Sequence, residues 1–127
     1  MKREYSFEKL DVWKNAKALN VIIFKTTKLF PTNEFQIKSQ INRAAFSICA
    51  NIAEGSGRKK GKDQALFYKI AYSSNLELIN HCILCVEFEM LELDIFENQI
   101  KPLADTINKQ LSGLYKYSIG STNGIPS

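Results

Sequence analysis

The chain has 127 residues and a mass of 14.5 kDa, of which 45% are hydrophobic and 24% charged. These values fit one globular domain with a single core, and neither a disordered chain nor a second domain is expected. The net charge of +4 is unevenly held: residues 1–75 carry 14 Lys+Arg against 6 Asp+Glu, a net of +8, and residues 76–127 carry 3 against 7, a net of −4. One side of the molecule is therefore expected to attract anions such as nucleic acid. No apolar run approaches the ~20 residues that span a bilayer. The charged start Met1-Lys2-Arg3-Glu4 leads into no signal-like stretch, so a cytoplasmic protein with no membrane contact is expected.

Four segments show helical periodicity, and no useful run of strand alternation appears. The first runs from about Leu10 to Phe30, with Val12, Ala16, Leu19, Ile23, Thr26 and Phe30 as its apolar seam. Phe30-Pro31 ends it, because the residue before proline is pushed out of the α region. The second starts near Thr32 or Asn33, either a candidate N-cap, and its seam is Ile37, Ile41, Ala44, Ile48 and Ile52. Gly55 reads as its C-terminal glycine. The third runs from Lys62 or Asp63 to about Met90, with Phe67, Ile70 and Ala71 on one side of its first half.

In the second half of that segment, Leu76, Leu78, Ile79, Cys82, Ile83, Leu84, Cys85, Val86 and Phe88 point nearly all round the axis. Three companion helices can hardly cover such a surface, so Leu76, Ile79, Ile83, Leu84 and Val86 predict contact with a neighbouring subunit. The fourth segment, Asp94 to Tyr117, aligns Ile100, Leu103, Ile107, Leu111 and Leu114, with Pro102 kinking it or marking a later start. The expected architecture is all-α: an antiparallel up-and-down four-helix bundle over residues 1–117, with a frayed tail over 118–127.

Two groups of cations are candidate anion contacts. Lys14, Lys17, Lys25 and Lys28 fall within about 80° of one another, opposite the first seam. They form either a ridge tracking a phosphate backbone or an ordinary solvated face. Between the second and third segments, Gly55-Ser56-Gly57-Arg58-Lys59-Lys60-Gly61-Lys62 packs Arg58, Lys59, Lys60 and Lys62 into five positions. It is no P-loop, since Asp63 follows Gly61-Lys62 where Ser or Thr is required. It reads as a phosphate-contacting loop or a solubilising turn.

Arg43, Asn51, Glu54 and Glu77 are polar residues within or near core-facing stretches. They read as a paired set, Arg43 or Arg58 neutralising Glu54 or Glu77 at a helix-packing or subunit contact, with a catalytic carboxylate pair as the alternative. His81-Cys82-x-x-Cys85 lacks two of the four ligands zinc wants. Cys49, Cys82 and Cys85 instead read as reduced core side chains. With His81 the single histidine, no catalytic constellation, metal or cofactor is expected.

Gln40-Ile41-Asn42-Arg43-Ala44-Ala45-Phe46-Ser47-Ile48, followed by Asn51-Ile52-Ala53-Glu54-Gly55, resembles the hallmark of a bacterial four-helix-bundle family. Its members are encoded in intervening sequences of the 23S rRNA gene, and the accessory variability determinant of diversity-generating retroelements is similar to them. Leu10-Asp11-Val12-Trp13 with Ala16, Phe30-Pro31 with Glu34, and Phe67 with Ile70-Ala71, Ser74, Glu77 and Leu78 add to the match. Asn42 departs from the family pattern where a second basic residue is common, and Tyr72 where glycine often appears. The resemblance implies a homopentamer with a basic surface and no enzymatic activity. Five copies at +4 would make a +20 assembly. It implies nucleic acid as partner, with a reverse transcriptase or ribosomal component as the alternative partner of a scaffold whose charge serves only solubility.

Overall fold

The computed structural model describes residues 4–126, and every regular element among them is helical. Helices α1 (Asp11–Thr27), α2 (Phe35–Ser56), α3 (Lys62–Glu87) and α4 (Lys101–Ile119) are the long elements. Short 3-10 turns at Ser6–Lys9 and Thr32–Glu34 precede α1 and α2. An α turn at Leu93–Ile95 and a π-helical stretch at Phe96–Ile100 lead into α4.

Cross-helix contacts fix the helix directions. Asn20 reaches the Ala45 carbonyl at 2.8 Å while Thr27, further along α1, accepts from Asn42 at 2.9 Å. Ser47 meets Ser74 at 2.7 Å, and Arg43 meets Glu77 at 3.0 Å. Asn75 reaches the Ala104 carbonyl at 2.9 Å, and Ser118 reaches Gln64 at 2.8 Å. In each pair residue numbers rise on one helix as they fall on the next, so successive helices are antiparallel. α1 packs on α2 and α4, and α3 on α2 and α4, which closes the four-helix ring. The start of α1, the α2–α3 loop and the end of α4 therefore share one end of the bundle. The acidic run of Glu87, Glu89, Glu92, Asp94 and Glu97 occupies the other.

The core follows the predicted seams with local changes of phase. On α1 it is Thr27, not Thr26, that is buried, because its hydroxyl donates to the Ile23 carbonyl at 2.8 Å and accepts from Asn42. On α3 the buried stripe is Ala65, Tyr68, Ala71, Asn75, Leu78, Cys82 and Cys85. Phe67 is half-buried and Ile70 faces outward. Neither Thr32 nor Asn33 caps α2. Both lie in a turn closed by Glu34 N–H to the Pro31 carbonyl, and Glu34 takes the cap position with no side-chain bond.

Helix α3 stops at Glu87, short of the expected Met90. Met90 N–H bonds the Cys85 carbonyl and Glu89 N–H that of Val86, with Glu89 left-handed at φ 61: a Schellman closure built without glycine. Pro102 does mark a later start. It has no N–H for an α bond back to Asn98, and the π turn precedes it instead. At the other terminus α4 runs through Ile119, past the expected end at Tyr117. Ser118 is buried and Gly120 caps the helix at φ 64. The expected boundary at 117–118 thus falls inside a helix. No helix among the described residues is long and apolar enough to cross a membrane.

Candidate functional site

Glycine and one buried glutamine shape the α2–α3 loop. Gly55 is not the terminal glycine of α2. It lies in the last helical turn, buried, where a Cβ would come within 2.8 Å of the Tyr68 ring. Gly57 ends the helix, and Gly61 at φ 146 enters α3 through a conformation closed to L side chains. Gln64 donates to the carbonyls of Gly55 and Arg58, both at 3.0 Å, and accepts the Ser118 hydroxyl. One side chain thereby ties the loop to α3 and α4.

On this frame the four predicted loop cations separate. Arg58 pairs with Glu54 at 3.2 Å and Asp63 at 3.3 Å and covers the Phe67 ring at 4.8 Å. Its charge is already answered. Lys59, Lys60 and Lys62 are exposed, with no carboxylate partner among the described residues. Lys60 lies 4.4 Å from the centre of the Tyr117 ring.

Lys14, Lys17, Lys25 and Lys28 are all exposed and equally without carboxylate partners among the described residues. They do not form one site with the loop. Lys14 and Lys17 are on the half of α1 that starts at the loop end, whereas Lys28 is carried about 20 Å along the axis from Lys14. Lys17 covers Trp13 at 5.7 Å and Lys28 covers Phe24 at 4.6 Å.

The polar set is paired, but at the surface rather than in the core. Arg43 bonds Glu77 at 3.0 Å and Gln40 at 2.7 Å, and Arg58 takes Glu54. These pairs are solvent-exposed, so each stabilises the fold by at most about 1 kcal/mol. Asn51 donates to the Ser47 carbonyl and hydroxyl, and Ser47 meets Ser74, a polar ladder across α2 and α3. Glu54 and Glu77 thus each face an arginine on different turns and do not face each other as an acid–base pair would.

The predicted subunit-contact residues divide as well. Leu76, Ile83 and Leu84 are 46%, 47% and 42% exposed, whereas Ile79 and Val86 pack on the chain's own core. Two further apolar surfaces stand open: Val21, Phe24 and Phe46 beside Cys49, and Phe35, Leu84 and Phe88 around a groove that His81 and Gln40 also line.

His81 turns to Glu77, with Nε2 and Oε2 at 3.2 Å, while Cys82 and Cys85 are buried. Burial pushes the Cys82 thiol up to about 12 and raises Cys85 too, opposing the thiolate that a metal or a nucleophile needs. The three cysteines are free thiols.

Sequence reasoning missed the aromatic side of this end of the bundle. Tyr5 stacks on Phe7 at 5.7 Å with planes 6° apart, and Phe7 meets Trp13 at 5.2 Å. Phe7 also lines a surface depression with Ala53, Gly57 and Arg58, which joins the start of α1 to the loop. The available signal was spacing. Trp13 with Lys17 and Phe24 with Lys28 are four residues apart, which stacks a cation on a ring along one helix face.

A family model described as 23S rRNA-intervening sequence protein matches residues 8–113, which includes the loop cations and the α1 lysines. No curated protein matches the chain.

Proposed function

We propose a function from one premise: the chain belongs to the 23S rRNA-intervening sequence protein family. In this reading it is a non-enzymatic, oligomeric bundle of the cytoplasm that binds nucleic acid, RNA or DNA, by charge. Lys59, Lys60 and Lys62 are the principal contacts and the α1 lysines secondary ones. The observation that supports it is the exposure of three lysines on one tethered loop, with no carboxylate partner among the described residues. Cations free of partners are the ones whose contact with phosphate releases counterions at no internal cost. Exposed Leu76, Ile83 and Leu84 offer the surface for self-association, and a homopentamer is the number the family resemblance implies.

The test is fluorescence anisotropy of a labelled RNA across a salt series, comparing the protein with its Lys59→Gln/Lys60→Gln/Lys62→Gln variant. Affinity should fall steeply with salt, and the variant should lose both affinity and about 0.7–0.9 of log–log slope per lysine engaged. An unchanged isotherm rejects the loop assignment.

A second reading, a scaffold that docks a reverse transcriptase or ribosomal component, is favoured by the apolar surface of Val21, Phe24 and Phe46. Capture of such a protein from nuclease-treated lysate, with no RNA binding at low salt, would replace the first reading with this one.

A further inference from the structure

Four cations among the described residues lie over aromatic rings: Lys17 on Trp13, Lys28 on Phe24, Arg58 on Phe67 and Lys60 on Tyr117. Such contacts occur about once per 70–80 residues, so one or two would be ordinary in a chain of this size. Three of the four gather toward the loop end of the bundle, Lys17 half-way down α1 and the other two at the loop itself. The same end carries exposed rings. Tyr5 is 72% exposed and stacks on Phe7 by one face, and Tyr117 is 60% exposed beneath Lys60. Tyr115 lines a depression of about 510 Å³ with Lys62, Lys69 and Gly61. Two residues apart on α4, Tyr115 and Tyr117 lie on opposite flanks of that helix, each flank with its own lysine. Tyr5, Tyr115 and Tyr117 all lie outside the residues matched by the family model.

We infer that the loop end is a stacking platform for single-stranded nucleic acid, with Tyr5 and Tyr117 as the base-stacking faces. Lys59, Lys60 and Lys62 hold the phosphates. The inference rests on the nucleic-acid reading above and adds the class of ligand. A duplex keeps its base faces stacked internally and offers this surface only phosphates, whereas a single strand offers every base a free face. The rings would add nothing to duplex binding and a separate increment to strand binding.

The experiment compares a labelled oligouridylate with an RNA duplex of the same length, in anisotropy titrations at one low salt concentration. Tyr5→Leu, Tyr117→Leu, Tyr117→Phe and the unchanged protein are titrated in parallel. Both tyrosines are exposed, so circular dichroism should show the helical fold intact in every variant. Expected are tighter binding of the strand than of the duplex, and about five-fold or greater weakening of the strand by either Leu variant. Tyr117→Phe should keep strand affinity, because the ring and not the hydroxyl carries the stack. Duplex affinity should not move in any variant. Equal affinities for strand and duplex, with Leu variants matching the unchanged protein, would overturn this inference and leave the charge-based reading standing. Failure of the unchanged protein to bind either nucleic acid overturns both.

Discussion

Gly55 of α2 lies against the ring of Tyr68 on α3 so closely that an added Cβ would fall 2.8 Å from Cε1 and 3.2 Å from the Phe67 Cβ. The last turn of α2 and the first turns of α3 meet there, directly beneath the cationic loop. The contact ties the position of Lys59, Lys60 and Lys62 to the packing of the core.

Gly55→Ala is therefore expected to destabilise the protein although alanine is the better helix former. The propensity gain is about 1 kcal/mol, and forcing a methyl into a ring and a neighbouring Cβ costs about 1–3 kcal/mol. The urea midpoint should fall, and it should fall less in a Tyr68→Leu background, where the obstacle is smaller. Gly113 is the control. It sits within α4, and beyond its chain neighbours and the helix's own backbone nothing comes within 4 Å of where an added Cβ would stand. Gly113→Ala should therefore raise stability by about 0.5–1 kcal/mol.

The thiols predict a loss of stability in alkali. Burial pushes Cys49 up to about 11 and Cys82 up to about 12 from an ordinary 9.0, while the unfolded chain ionises them near that ordinary value. Above pH 9 the folded state thus holds more protons than the unfolded one. Stability is fully present below pH 9 and declines as pH rises toward 12. Urea midpoints measured across this window should decline less steeply for Cys82→Ala than for the parent. A thiol reagent at neutral pH should label Cys82 and Cys85 only as fast as the chain opens.

Much of this was legible in the sequence, and the reason is periodicity. Val12, Ala16, Leu19 and Ile23 recur on one face of α1, and the fold buries them all. The same arithmetic mistook Thr26 for Thr27 and Phe67 for Tyr68. A residue at the edge of a stripe is sorted by a hydrogen bond or a close glycine on another helix, and neither is visible in spacing. The Gln40–Gly55 stretch that carries the family resemblance turns out to be mostly the α2–α3 joint: Arg43 to Glu77, Ser47 to Ser74, Gly55 to Tyr68. The pairing of Arg58 with Glu54 was among those expected, but its second partner, Asp63, was not, for a related reason. Asp63 meets it across a loop whose path is set by Gln64, a polar residue that nothing in the local sequence pattern distinguishes.

The surface proposed for self-association can be separated from the core by two neighbouring isoleucines on α3. Ile83 is 47% exposed, and Ile79, one turn earlier, packs on the chain's own core. Ile83→Glu should leave the urea midpoint nearly unchanged and lower the mass seen by light scattering to that of one chain. Ile79→Glu should instead lower the midpoint, because it buries an unpaired charge. Unchanged mass in Ile83→Glu would mean that this face is not the contact.

Arg58 supplies the sharpest comparison within the loop. It lies between Glu54 and Asp63, so a phosphate must compete with two carboxylates for it, whereas Lys59 faces no such competition among the described residues. Arg58→Gln is expected to reduce RNA affinity and salt slope less than Lys59→Gln does, despite the greater intrinsic fit of a guanidinium to phosphate. Glu54→Gln should act in the opposite sense. It removes one of the two carboxylates and raises the loop's net charge by one, which should tighten binding and steepen its salt dependence. The Arg58 and Glu54 side chains are both exposed, so neither change should alter the stability by more than about 1 kcal/mol. Salt-series anisotropy on the three single variants reads the whole comparison. A larger loss from Arg58→Gln than from Lys59→Gln would mean that the arginine leaves its carboxylates to meet the ligand.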